Sequence, residues 1–238
     1  MRNLLLISNS TIPGEAYLGW CKDLIAKWCK ENNVKTALLI PFAGVTLTWD
    51  DYIARVKAVY SEFGVDVSSI HQHPNAVEAL KNAECIVVGG GSTWNLLAEC
   101  YTQNLLDIMR EKALSGTPFM GWSAGANLAC PTIKTTNDMP IIEPKSFNAL
   151  NLVPFQINPH YLDAHPSGHG GETREDRIKE FMVINPTTYV AGLREATALV
   201  VKGDKIELVG RDKNMRVFKF GEEIKEFALG ANIEFLLK

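Results

Sequence analysis

The stretch Gly121-Trp122-Ser123-Ala124-Gly125-Ala126 sets a serine between two glycines, directly after the apolar run Pro118-Phe119-Met120. This is the G-x-S-x-G spacing of a strand-to-helix elbow, where a side chain two residues either side of the serine would collide within the tight turn. The chemistry it suits is nucleophilic attack by the Ser123 hydroxyl. A helix opening at this point would leave backbone N–H groups free, that of Ala124 first, to face a developing oxyanion, and the helix dipole favours negative charge there. Small residues at such a turn also permit plain close packing, so the serine needs partners to carry the reading.

A serine hydroxyl is a weak nucleophile near neutral pH and needs a base, normally a histidine held by a carboxylate. His160 ends the apolar run Phe155-Gln156-Ile157-Asn158-Pro159, and a strand there would deliver it to the carboxyl edge of a sheet, where active sites of open α/β folds collect. His71 and His73, beside Pro74, read as a surface pair or a weak metal site. His165 and His169 read as exposed positions of a glycine-containing loop, although with His160 and Asp163 they offer a rival, metal-dependent hydrolase. Two acids compete to orient the imidazole. Glu195 follows the strand Tyr189 to Leu193, and Asp138 lies in the loop Thr135-Thr136-Asn137-Asp138-Met139-Pro140.

Two further segments suit a bound anion. Gly89-Gly90-Gly91 follows the apolar Cys85 to Val88 and lets the backbone approach a ligand closely, so Gly90 or Gly91 could supply a second oxyanion donor opposite Ala124. It is no dinucleotide loop, because Trp94 occupies the place of the third glycine, and no Walker lysine follows. In Gly170-Gly171-Glu172-Thr173-Arg174-Glu175-Asp176, Thr173 and Asp176 have capping-box spacing, which puts Arg174 in the first turn of a helix. A cation there opposes the helix dipole. That local cost makes sense if Arg174 holds a carboxylate, and a surface pairing with Glu175 or Asp176 is the plainer alternative.

The elements that must position these residues follow from hydrophobic periodicity. Asn3–Ser8, Thr36–Ile40, Val65–Ile70, Cys85–Val88 and Pro118–Trp122 read as strands. Between them lie helical stretches around Trp20–Trp28, Tyr52–Phe63, Ala76–Lys81 and Thr93–Ser115. Strands joined through helices predict a mostly parallel sheet flanked by helices. Beyond residue 130, prolines break the alternation. A helix at Arg174–Val183 follows, and then a β-rich C-terminal part with strands at Ala198–Val201, Lys205–Val209, Arg216–Phe220 and Lys225–Leu229, turned at Gly203-Asp204. No linker or repeat interrupts the chain, so residues 1–238 are expected to form a single α/β domain.

Composition narrows the partners. With 24 Lys and Arg against 27 Asp and Glu, the chain lacks the basic excess of a nucleic-acid binder. Its longest apolar runs fall far short of a membrane span. The five cysteines, without a Cys-x-x-Cys pair, suit buried thiols in a reducing cytoplasm.

Taken together, Gly-Gly-Gly-Ser-Thr at 89–93, Gly-Trp-Ser-Ala-Gly-Ala at 121–126, Thr-Thr-Asn-Asp-Met-Pro at 135–140, Ile-Asn-Pro-His at 157–160 and Gly-Glu-Thr-Arg at 171–174 resemble the peptidase E family of α-aspartyl serine dipeptidases in order and spacing. The resemblance spans nearly the whole chain. It implies a fold related to class I glutamine amidotransferases and hydrolysis of Asp-X peptides in the cytoplasm without a cofactor or metal. It further implies Ser123 as nucleophile, His160 as base, Asp138 or Glu195 as orienting acid, Gly91 and Ala124 as oxyanion donors, and Arg174 as anchor for the aspartyl carboxylate. Ser92 departs from the asparagine expected in many relatives, which bears on contact with the substrate's side chain or amine. A cyanophycinase-like hydrolase and a non-catalytic module for acidic small ligands are the alternatives. The residue preferred after aspartate, pairing into a homodimer and any regulation stay open at this stage.

Overall fold

A computed structural model describes residues 1–163 and 170–238. His165 and His169 therefore lie outside the described residues. The chain builds a seven-stranded sheet in the order β3-β2-β4-β5-β1-β8-β9, from Asp66–Ser69 (β3), Thr36–Ile40 (β2), Ile86–Val88 (β4), Phe119–Trp122 (β5), Asn3–Ile7 (β1), Thr197–Lys202 (β8) and Lys205–Gly210 (β9). The first five are parallel, and β8 and β9 extend the sheet antiparallel from β1.

The period-two rule explains why these runs become two-faced strands. Leu4 and Leu6 enter one buried cluster, and Leu5 and Ile7 enter the other; Leu38 and Ile40 likewise part from Ala37 and Leu39. On the first face lie Thr93–Thr102 (α4), Leu106–Ser115 (α5) and the short Ala124–Leu128 (α6). On the second lie Lys22–Glu31 (α1) and Trp49–Ser61 (α2). Helix α3, Ala76–Asn82, joins the first face through Leu80. Leu4, Leu5, Leu6 and Ile7 are fully buried, each contributing about 1.5–3 kcal/mol of burial, which is why the central strand reads as an unbroken apolar run. No helix among the described residues is long and apolar enough to cross a membrane.

A second sheet, in the order β11-β10-β7-β6, is made by Lys225–Phe227, Met215–Phe218, Val190–Arg194 and Gln156–Tyr161. Its β6 and β7 are parallel and its other pairs antiparallel. Helix α7, Arg174–Ile184, packs beside it through Ile178 and Met182.

The fold is thus α/β, with a mixed rather than simply parallel main sheet. The C-terminal strands divide between the sheets: β8 and β9 complete the main sheet, whereas β10 and β11 join β6 and β7. One sequence expectation is corrected. The helical stretch 93–115 is two helices, because Asn104 adopts φ +54°, the left-handed conformation that asparagine tolerates better than most residues.

Candidate active site

The carboxyl ends of β1, β4 and β5 in the main sheet meet those of β6 and β7 in the second. Ser123 follows β5 and begins α6, with φ +53° and ψ −111°. A non-glycine residue held there carries about 1–3 kcal/mol of strain. Its backbone is pinned on both sides: the Ser123 N–H donates to Ile7 O at 3.0 Å, and the Asn127 N–H donates to Ser123 O at 3.0 Å. The flanking glycines are obligatory, since a Cβ on Gly121 would lie 2.4 Å from Gly125 O and one on Gly125 would lie 2.2 Å from Val88 O.

His160 is set by a different device. Strands β6 and β7 pair Pro159 with Leu193 and then Tyr161 with Arg194, so His160 is the extra residue of a bulge, with φ +53°. Bulges re-aim a side chain, and here the bulge turns the imidazole to the elbow. Ser8, buried at the end of β1, locks it: its Oγ accepts from the His160 N–H at 3.0 Å and donates to Leu193 O at 2.8 Å.

The imidazole spans two partners. Ser123 Oγ lies 3.0 Å from His160 Nε2, and Glu195 Oε1 lies 2.7 Å from His160 Nδ1. A carboxylate only accepts, so in the neutral ring Nδ1 carries the proton and Nε2 is left to accept the serine hydroxyl proton. Glu195 occupies the two-residue corner by which the chain passes from β7 to β8. Asn9 fixes that corner, its Oδ1 accepting the Ala196 N–H at 2.8 Å where Ala196 turns to φ +68°.

Asp138 makes no hydrogen bond to the imidazole among the described residues. Its Oδ2 accepts the Thr93 N–H at 2.7 Å, capping α4 from across the cavity, and its loop is stitched to β6 by Asn137 Nδ2 donating to Pro159 O and Asn158 Nδ2 donating to Asn137 Oδ1, each at 2.7 Å. A loop carboxylate near a helix start has free N–H groups to satisfy before it can reach a ring on another sheet. The Ser92 hydroxyl accepts the Asn95 N–H at 3.3 Å as the α4 cap.

The cavity itself, about 370 Å³, is walled by Ser123, His160, Asp138, Leu162 and Arg174, among others. Among the described residues Arg174 has no hydrogen-bond or ion-pair partner. Burial pushes its pKa down and Arg177 adds to this, while Asp138 opposes both; a half-buried guanidinium so placed favours an incoming anion. The neighbouring acids are engaged elsewhere. Glu175 pairs with Arg216 at 2.8 Å and Lys179 at 2.6 Å, and Asp176 closes the capping box with Thr173.

In the glycine turn, neither Gly90 nor Gly91 uses its N–H in a backbone hydrogen bond among the described residues. A Cβ on Gly90 would come 3.0 Å from Ser123 Cβ, so this turn lies against the serine. The Ala124 N–H, at the first position of α6, has no intrahelical acceptor.

The chain from residue 4 to 209 matches the family model described as Peptidase family S51. The chain belongs to this family. It is 49% identical over 237 residues to a protein named Peptidase E from Nostoc sp. (strain PCC 7120 / SAG 25.82 / UTEX 2576), covering all of this chain and 97% of that one. It is 50% identical over 220 residues to Peptidase E from Escherichia coli O6:K15:H31, covering 92% and 95% of the two chains. In fold it is similar to the crystal structure of a peptidase from an acI-B1 Actinobacterium, with a TM-score of 0.73 at 19% identity over 98% and 96% of the two chains.

The remaining candidates of this S51 family member sit apart from the serine. Burial pushes the thiols of Cys21, Cys29 and Cys130 up to about 12, and those of Cys85 and Cys100 upward as well, so none is a thiolate nucleophile. His71 bonds Ser69 and Asp50, and His73 bonds Ser68. Asp163 is held by both Nε and Nη2 of Arg194 at 2.7 Å. Among the described residues no group of three or more His, Cys, Asp or Glu is gathered to hold a metal ion.

Sequence reasoning missed Ser8 and Asn9, which hold His160 and the Glu195 corner in place, as well as the Asn137–Asn158 pair. One signal for the first two was available: two polar residues immediately follow the most apolar strand, at the carboxyl end of a parallel sheet where ligands bind.

Proposed function

We propose that this chain is a serine dipeptidase that hydrolyses peptides with aspartate at the amino end. Ser123 is the nucleophile, His160 the general base and acid, Glu195 the acid that orients it, Gly91 and Ala124 the oxyanion donors, and Arg174 the anchor of the aspartyl side chain. The observation that carries this reading is the Glu195–His160–Ser123 relay opening into the same cavity as Arg174, an arginine without a hydrogen-bond or ion-pair partner among the described residues.

Attack by Ser123 Oγ on the peptide carbonyl sends the hydroxyl proton to His160 Nε2, while Glu195 stabilises the imidazolium without taking a proton. The N–H groups of Ala124 and Gly91 receive the oxyanion, each donor worth about 2.7–4 kcal/mol in the transition state. When the C–N bond breaks, His160 returns the proton to the leaving amine. Water then attacks the aspartyl ester, giving a proton to His160, and Ser123 leaves as the alcohol with that proton. Asp138, on the wall opposite, tunes the charge around Arg174 and the substrate's amine.

We further read residues 1–238 as one α/β domain of the class I glutamine amidotransferase-like kind. Strand β1 sits between β5 and β8, so the C-terminal half completes the sheet that the N-terminal half begins.

The test is a panel of Asp-X and Ala-X dipeptides, with and without chelator, on the parent and His160→Ala. The expected outcome is Asp-X turnover indifferent to chelator and lost in the variant. Chelator-sensitive turnover, or turnover that survives loss of His160, would overturn the reading.

A further inference from the structure

The peptide unit joining Gly90 to Gly91 faces two ways. Its N–H, on Gly91, is the assigned oxyanion donor, and its C=O, on Gly90, accepts a 2.8 Å hydrogen bond from the Tyr52 hydroxyl. Because N–H and C=O of one peptide are held in a plane on opposite sides, fixing the carbonyl fixes the direction of the N–H. Tyr52 reaches this point from α2, only 5% exposed, and its hydroxyl oxygen accepts the Trp122 indole N–H at 3.3 Å. Trp122 is fully buried and immediately precedes Ser123. A hydrogen-bond chain therefore runs from the elbow through a phenol to the opposite side of the oxyanion hole, and each bond in such a chain polarises the next.

The triple glycine takes its meaning from this chain. A Cβ on Gly91 would strike Ala43 O at 2.2 Å, and its φ of +135° suits glycine alone. Gly89 is different: it lies outside the left-handed region, and a Cβ there would meet the Tyr52 hydroxyl oxygen at 2.3 Å. Its lack of a side chain makes room for the phenol.

We propose that Tyr52 is a positioning residue of the oxyanion hole, its hydroxyl holding the Gly90–Gly91 peptide so that the Gly91 N–H stays turned to the reacting carbonyl. This rests on the assignment of Ser123 as nucleophile and Gly91 as donor. Turning the peptide over would break a hydrogen bond that a buried phenol, whose other phenolic neighbour is Tyr17, makes to this carbonyl, and a bond lost away from water costs more than an ordinary lost contact. Burial also pushes the Tyr52 pKa up, so the phenol remains a donor across the working pH range. The donor matters most when the oxyanion forms, so its loss falls on kcat rather than on KM.

The experiment measures Asp-Leu hydrolysis by Tyr52→Phe, Gly89→Ala and the double variant, with rates expressed per site titrated to completion by an organophosphonate so that unfolded protein is not counted. Tyr52→Phe keeps the ring and should lower kcat about tenfold, the effect of about one hydrogen bond, with KM within about twofold. The rate of phosphonate labelling at Ser123 should fall by a similar factor. Gly89→Ala should cost at least as much, since its Cβ would displace the hydroxyl and also meet Tyr52 Cζ at 2.6 Å, and the double variant should be no worse than Gly89→Ala alone. An unchanged kcat in either single variant, a loss confined to KM, or losses that multiply would overturn the proposal. Ser123→Ala measured alongside separates the two readings: turnover surviving there refutes the nucleophile, whereas turnover abolished there but intact in Tyr52→Phe refutes the role of Tyr52 alone.

Discussion

The two sheets each bring half of the site, by opposite means. On the main sheet, Ser123 and the Gly89–Gly91 turn are placed by sterics close at hand: four glycines whose added Cβ atoms would collide at 2.2–2.4 Å, and a strained serine backbone pinned within its own elbow. On the second sheet, His160 and Glu195 are placed by bonds from far along the chain, Ser8 on the bulge and Asn9 on the corner. The elbow serine is thus encoded locally. His160 and Glu195 are placed by where β1 ends, and any change that shifts one sheet against the other is felt first at the 3.0 Å Ser123–His160 contact.

This contrast can be broken most sharply at the acid. Glu195→Gln should lower kcat on Asp-Leu by about 10³–10⁴-fold, because the amide stabilises the wrong tautomer and no longer supports the imidazolium. Asp138→Asn should cost less than about tenfold, since its carboxylate caps Thr93. A reversed order would return the orienting role to Asp138. Next comes Arg174→Ala, expected to reduce kcat/KM for Asp-X about 10–100-fold, in keeping with a charged hydrogen-bond pair, while leaving residual Ala-X turnover in place. Equal losses on both substrates would separate Arg174 from carboxylate recognition.

A smaller effect tests the long-range placement itself. Ser8→Ala removes both bonds that hold the bulge and should lower kcat about tenfold with little change in KM; Glu195→Gln and Ser8→Ala losses that simply multiply would argue that Ser8 acts elsewhere. The smallest prediction concerns stability. Arg194 holds the Asp163 and Glu226 carboxyls below their usual range, so their contribution is present above the unfolded-state pKa and is lost as pH falls through the lowered folded values. Asp163→Asn should therefore lower the melting temperature at pH 7 and converge with the parent in acid. A gap that persists in acid would assign the loss to packing.

What could be read from sequence follows the same division. The elbow and the triple glycine were legible because close packing leaves a local signature in residue type. The strands of the main sheet were legible because two buried faces demand continuous apolar runs. The choice between Glu195 and Asp138 was not legible, since both follow plausible elements and only the corner between β7 and β8 puts one against Nδ1. Ser92, where the resemblance expects asparagine, caps α4 through the Asn95 N–H, as a serine before a helix commonly does. Tyr52 gave no sign at all, because its role depends on α2 crossing the glycine turn, and a tyrosine at helical spacing reads as core.

The most direct measurement is the steady-state hydrolysis of Asp-Leu by Ser123→Ala against the parent. Loss of kcat by about 10⁴-fold or more is the predicted result, with the variant still folded and its cavity intact. Activity within a few-fold of the parent would contradict the account, because the attacking oxygen would then have to come from somewhere other than the elbow.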